Sequence, residues 1–208
     1  MTERGMIFNS EMVRAILDGR KTQTRRPIKF PFKDRNLGCE LSGNELAGDL
    51  SAGKYLNSPF GKPGDRIWVR ETFQGPLFDF DQMDAYCKDS APFEKAQFCV
   101  YKADGKPAPE FFDADDNLHC CWRPSIHMPR WASRILLEIT DVRVERLNAI
   151  TESEAEAEGI TDTGFGDLLV DGYRYLWKSI YGEENWNANP WVWVIKFKRV
   201  EGDDNATD

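Results

Sequence analysis

Residues 19–26 read Gly19-Arg20-Lys21-Thr22-Gln23-Thr24-Arg25-Arg26, four cations and two hydroxyls in eight positions. Lys21 and Thr24 are three apart, so a helical turn would set an amine and a hydroxyl on the same side, within reach of one bound group. Arg20, Arg25 and Arg26 would lower the proton affinity of that amine by like-charge repulsion, and an enclosed site would lower it further by desolvation. A neutral lysine amine can act as a base. The same cations would equally complement the dipole of a helix end and bind water. Arg26 has two readings as well: its planar guanidinium can fix a substrate carbonyl or phosphate, or brace a loop carboxylate.

Trp68 and Trp131 are the tryptophans best placed to stack on a base, although aromatic residues on alternating strands also fill cores. Five cysteines at irregular spacing, Cys39, Cys87, Cys99, Cys120 and Cys121, do not form a secreted disulfide framework, and reduced thiols are expected. Cys120 and Cys121 follow His119 without the two-to-four-residue gap usual between paired zinc ligands. No Gly-rich phosphate loop, Ser-His-Asp order or zinc-protease helix occurs. No metal and no cofactor are expected.

The elements that must carry these residues are legible in part. A short strand at Ile7 leads to a helix with Ser10 as N-cap and Met12, Val13, Ile16 and Leu17 facing the core, ended by Gly19. Residues 36–54, rich in Gly, Ser and Asn, read as loop. Pro63-Gly64-Asp65 turns into a half-buried strand over residues 66–73. A long or bulged strand is predicted over residues 134–147. Thr151-Glu152-Ser153-Glu154 has the capping-box pattern of a short helix running toward Glu158 and stopping at Gly159. A second amphipathic helix is predicted over residues 165–181 and a closing strand over residues 191–200.

At 208 residues, 41% hydrophobic and 30% charged, the chain can bury one core without a metal or disulfide, which excludes disordered and fibrous classes. One α+β domain is expected over residues 1–202, with a fraying tail at 203–208. Residues 74–121, with ten acidic and four basic side chains and little periodicity beyond a strand at 97–102, read as an acidic insertion. No apolar run approaches the roughly 20 residues that span a bilayer. Residues 1–5 lack a signal peptide's apolar region, so a cytoplasmic protein is expected, with no membrane partner. Net charge is −8, yet residues 1–36 hold nine Lys or Arg against four Asp or Glu. A basic patch on an acidic body suits a small or locally bound anionic ligand better than a long duplex.

The spacing Gly19-x-Lys21-x-x-Thr24-x-Arg26 resembles the signature of ASCH-domain proteins, a PUA-like family of small β-barrels associated with RNA and nucleoside chemistry. Residues 63–70 resemble the family's Gly-Asp strand, Ile150-Thr151-Glu152 through Gly159 its helix, and Trp191 to Phe197 its closing strand. About half the chain is covered. Residues 122–135 are similar to a block in phage and prophage members, which implies a bacteriophage origin. The smallest bacterial members are N4-acetylcytidine amidohydrolases. Their likeness implies a PUA-like small β-barrel with short flanking helices and a metal-independent amidohydrolase acting on an acylated nucleoside. By that likeness Lys21 is proton acceptor, Thr24 nucleophile and Glu158 proton donor, with Glu154 and Glu156 as competing positions. Arg26, Arg25, Trp68 and Trp131 are the expected substrate-binding residues. The alternatives are a non-catalytic module that binds RNA or nucleotides, or a ribonuclease, whose pentacovalent phosphate a Lys and Arg cluster would also stabilise. The expected partner is a nucleoside or RNA.

Overall fold

A computed structural model of the chain describes residues 1–113, 117–161 and 168–200. In chain order the elements are β1 (Glu3–Ile7), α1 (Ser10–Leu17), β2 (Gln23–Pro27), β3 (Phe32–Lys33), β4 (Glu40–Leu41), α2 (Gly43–Ser51), β5 (Arg66–Arg70) and β6 (Phe73–Gln74). There follow α3 (Met83–Lys88), β7 (Val100–Tyr101), β8 (Glu110–Phe112), β9 (Leu118–Cys120), β10 (Leu136–Arg146), α4 (Glu152–Ala157), α5 (Leu169–Tyr181), α6 (Glu183–Asn187) and β11 (Trp191–Arg199). The fold is mixed α+β, with a five-stranded sheet in the order β1-β5-β10-β11-β2 and the two-stranded ribbons β3-β4, β6-β7 and β8-β9. Among the described residues β1 and β2 are the two edges of that sheet, which is open.

The chain divides into two compact units. The first comprises Met1–Thr2, Ala15–Arg66 and Glu138–Arg199. In it β11 pairs antiparallel with β2, setting Val194 opposite Arg25 and Ile195 opposite Thr24. Strand alternation sends Val192 and Val194 into a core with Leu147, Ile150, Ala155, Tyr173, Trp177 and Trp186. Tyr173 and Trp177 are four apart, so α5 presents both rings on one face. Trp193 lies on the other face of β11, with ring centroids 5.9 Å from Phe32 and 6.2 Å from Phe60.

The second unit holds Glu3–Arg14 and Ile67–Leu137, with Val200. Here Phe8 N donates to Arg70 O and Val69 N to Ile135 O, both at 3.0 Å. Phe73, Tyr101, Met128 and Ala132 form its core. The stretch expected as an insertion lies in this unit and has aromatic packing of its own: Phe78 is 4.8 Å from both Tyr86 and Phe93, and Phe93 5.5 Å from Phe98. Glu71, almost wholly buried, takes both donors of a fork from Arg134 at 3.0 and 3.1 Å. The same guanidinium reaches Asp104 at 2.7 Å and stands 3.9 Å from the centroid of Tyr101.

Four expectations need correction. Residues 36–54 are not all loop: Ser42 and Glu45 form a complete capping box that starts α2, and Leu46 and Leu50 bury one turn apart. Helix α1 is capped by Asn9, whose Oδ1 accepts from Met12 N at 2.8 Å, one residue before the expected Ser10. The strand at residues 97–102 shrinks to β7, because only Val100 and Tyr101 find partners on β6. The stretch 66–73 is broken into β5 and β6. Helix α5 is observed from Leu169; Phe165, its expected start, lies outside the described residues, as do residues 114–116 of the insertion and the tail from 201. Among the described residues no helix is long and apolar enough to cross a membrane.

Candidate functional site

The segment carrying Lys21 and Thr24 is extended. Gly19, at φ +75°, ends α1, and Lys21 makes an isolated antiparallel bridge with Glu158 before β2 begins. The bridge comes from two local stops. Lys21 N donates to Ala15 O as α1 terminates, and Thr22 N donates to Ala157 O at the end of α4, both at 2.9 Å. The Thr151 capping box starts α4, and Gly159 at φ +90° stops it, which leaves Glu158 beside Lys21.

Lys21 Nζ donates to Glu158 Oε2 at 2.7 Å and to the Glu158 carbonyl at 2.8 Å. The two side chains are 0% and 3% exposed. Burial lowers the proton affinity of Lys21, opposed by the carboxylate of Glu158 and aided by the charges of Arg26 and Arg25. Arg25 holds the other oxygen: Nη1 donates to Glu158 Oε1 at 3.2 Å, while Nη2 donates to Glu145 Oε1 at 2.7 Å and lies 3.1 Å from Glu154 Oε2. Burial opposes the charge of Arg25, but Glu158, Tyr173 and Glu145 outweigh it and raise its pKa. Arg143 donates to Glu145 Oε2 at 3.0 Å, to Glu154 Oε1, and to Gln23 Oε1 at 3.4 Å. Desolvation works against the charge of Glu154, but the Thr151 amide, Arg25 and Arg143 hold its carboxyl below the usual range. Tyr173, 5.8 Å from the Arg25 guanidinium carbon, is kept protonated by burial and then by Glu158.

The register of β2 separates residues that the sequence places side by side. Arg25 is opposite Val194 and shares its face with the helices α4 and α5, whereas Thr24 is opposite Ile195, on the face of Trp193. A three-residue spacing joins two side chains on a helix and parts them on a strand. The helical turn expected at residues 21–24 is therefore replaced by a geometry in which Lys21 meets Glu158 and Arg25, and the buried Thr24 hydroxyl belongs to the opposite face. Arg25, expected to touch substrate, is enclosed by three carboxylates with its side chain 0% exposed. Arg26 is half-buried, stands opposite Trp193 in the β2–β11 register, and is not without a partner. Glu154 braces Arg25 and Arg143, while Glu156 lines a cavity.

That cavity, of about 480 Å³, is lined by Arg20, Thr22, Ser153, Glu156, Thr161 and Leu169 among others. Arg20 and Thr22 flank Lys21 and are exposed where Lys21 is buried, so the cavity and the Lys21–Glu158 pair lie on opposite sides of one bridge. Trp68 and Trp131 belong to the second unit. Trp68 lies against the backbone of Gly5, with Arg70 5.5 Å from its ring centroid, and Trp131 packs on the Phe73 core. Among the described residues no three His, Cys, Asp or Glu side chains gather as a metal ion would require.

Sequence reasoning missed Arg143, Glu145 and Tyr173. The signal was the alternation Asp141-x-Arg143-x-Glu145 on β10, an acid-base-acid face whose residues pair with one another and from which Glu145 also reaches Arg25.

No protein-family model and no curated protein matches the chain. Among solved structures it is similar to protein EF3133 of Enterococcus faecalis V583, of the family DUF984. The two are 10% identical, with a TM-score of 0.41 over 100% of this chain and 86% of that one. A likeness of that size carries no argument about fold or activity.

Proposed function

We propose that this chain is an ASCH-type, PUA-like protein of the cytoplasm that hydrolyses the exocyclic amide of an acylated nucleoside such as N4-acetylcytidine, free or within RNA. The observation that carries the reading is the Lys21–Glu158 contact at 2.7 Å, in which burial weakens the hold of the amine on its proton. Transfer of that proton to Glu158 produces a neutral amine facing a carboxylic acid, the two forms a base and an acid need for amide cleavage. The amine takes the proton of the attacking hydroxyl. The carbonyl-to-N4 bond breaks, and the acid returns a proton to the departing N4 of cytidine. With Thr24 as nucleophile the acetyl group passes to its Oγ1, and water releases acetate. The register of β2 makes a water on Lys21 the competing nucleophile, and Thr24→Ala distinguishes the two: loss of turnover assigns attack to Thr24, and retention assigns it to water.

Support also comes from charge. Lys21 and Arg25 are neutralised by Glu158, Glu145 and Glu154, and Arg20 by Asp18, so these cations are tied up within the chain. That suits a neutral nucleobase amide better than a phosphodiester. A binding module without chemistry is the second reading, favoured by the near-complete enclosure of Lys21 and Glu158. Incubation with N4-acetylcytidine, and separately with RNA, followed by chromatography tests both. Release of cytidine and acetate is the expected result. Saturable binding with no product would establish the second reading, and cleaved RNA would replace both with a nuclease.

A further inference from the structure

The proposed chemistry gives Lys21, Thr24 and Glu158 a task each and leaves Arg25 without one. Yet the Arg25 side chain is as enclosed as that of Lys21, and both its Nη atoms are bound while its buried Nε has no hydrogen-bond partner. Its Nη1 donates to Glu158 Oε1, its Nη2 donates to Glu145 and pairs with Glu154, and its guanidinium lies over Tyr173. Glu145 and Glu154 are in turn held by Arg143. The outcome is a divided carboxylate: Oε1 of Glu158 belongs to Arg25 and Oε2 to Lys21.

We infer that Arg25 is a positioning residue that holds one oxygen of Glu158, leaves only the other to Lys21, and thereby sets how firmly the Lys21 amine keeps its proton. The inference rests on the proposed hydrolysis for its catalytic consequence, while the arrangement of charges stands by itself. The charged and titratable groups around the pair, whose Glu158 follows the last residue of α4, are Glu154 from α4, Arg25 and Arg26 from β2, Glu145 and Arg143 from β10, and Tyr173 from α5. A carboxylate shared between two cations attracts each less than it would attract one, and the charge of Arg25 repels that of Lys21 directly. Removing Arg25 ends both effects and leaves Glu145 and Glu154 with one cation fewer. All three changes have the same sign and strengthen the hold of Lys21 on its proton. Removing the negative charge of Glu145 acts in the opposite direction.

The test follows Lys21 itself, by NMR titration of the full chain carrying lysine labelled at the ε-carbon, with the resonance assigned by its loss in Lys21→Arg. In Arg25→Met the midpoint of Lys21 is expected to rise by about one pH unit or more, a tenfold tighter hold on the proton. The ascending limb of the pH profile for N4-acetylcytidine hydrolysis, which follows formation of the neutral amine, should move to higher pH by the same amount. Arg25→Lys restores the charge and should reverse most of the shift. Glu145→Gln, at a carboxylate 21% exposed, should lower the midpoint and decides the matter if Arg25→Met does not fold. A Lys21 midpoint that stays within about 0.2 unit of the wild type in every folded variant overturns the inference, whatever happens to thermal stability. If the wild type releases no cytidine, the hydrolase reading fails, and the titration of Lys21 still decides the role of Arg25.

Discussion

The Lys21 side chain is 0% exposed, and burial lowers its pKa from the ordinary 10.5 against the pull of Glu158. The unfolded chain keeps that proton up to about pH 10.5, while the folded chain gives it up earlier. Between the two values the unfolded state binds more protons, so the contribution of Lys21 to stability rises with pH and levels off above 10.5. Urea unfolding of the wild type and Lys21→Met, compared from pH 7 upward, should show a difference in free energy that grows in favour of the wild type. A flat difference would mean that the amine titrates as it does in water. Cys99 is the complementary case in the second unit: burial pushes its thiol up to about 11, whereas Cys39, Cys87, Cys120 and Cys121 are exposed. Iodoacetamide at pH 8 should modify those four well before Cys99, because the thiolate is the reactive form. Peptide mass spectrometry that finds Cys99 labelled at the same rate would contradict its enclosure.

The ends of helices place the site, and one glycine shows how closely. A Cβ at Gly159 would stand 3.0 Å from the Cβ of Ala15 and 3.1 Å from that of Lys21, at a φ of +90° that other residues rarely adopt. Gly182 has nearly the same φ, +88°, with nothing within 4 Å. Gly182→Ala therefore reports backbone strain alone, about 1–3 kcal/mol, and Gly159→Ala should cost more because it also displaces Lys21. Denaturant unfolding of the two variants checks this, and equal costs would show that Lys21 is not crowded there. In the second unit the fork from Arg134 offsets the cost of burying Glu71, whose pKa burial still raises. Arg134→Met should cost about 3–5 kcal/mol by leaving that carboxylate enclosed without its cation. Glu71→Gln with Arg134→Met should cost less than the two singly, since each single change strands the partner.

For the whole molecule, the excess of cations near the N-terminus makes less of a basic patch than the count suggests, because Lys21 and Arg25 are buried and neutralised by carboxylates far along the chain, while the net charge stays −8. Affinity for N4-acetylcytidine should consequently change little between 50 and 200 mM salt, whereas a ligand gripped by 6–10 phosphate contacts would lose about a thousandfold or more. Calorimetric titration of N4-acetylcytidine and, separately, of RNA at both salt concentrations separates the cases, and binding seen only with RNA and lost steeply with salt would favour RNA as the partner. The sequence alone determined what depends on near neighbours. Thr151 and Glu154 specify the start of α4, Gly19 and Gly159 the ends of two helices, and the apolar alternation of residues 191–197 the strand β11, because caps, turns and periodicity act within a few residues. The same logic would have revealed α2 from Ser42 and Glu45. Tertiary structure alone decided which face each side chain of residues 21–26 occupies. Lys21 and Glu158 are 137 positions apart, and Arg25 and Glu145 are 120 apart. Whether Thr24 accompanies Lys21 or parts from it depends on the segment pairing as a strand with β11, where alternation has period two, and not continuing as a helix of period 3.6. No spacing within eight residues carries that choice, because the hydrogen bonds that make it come from the other end of the chain.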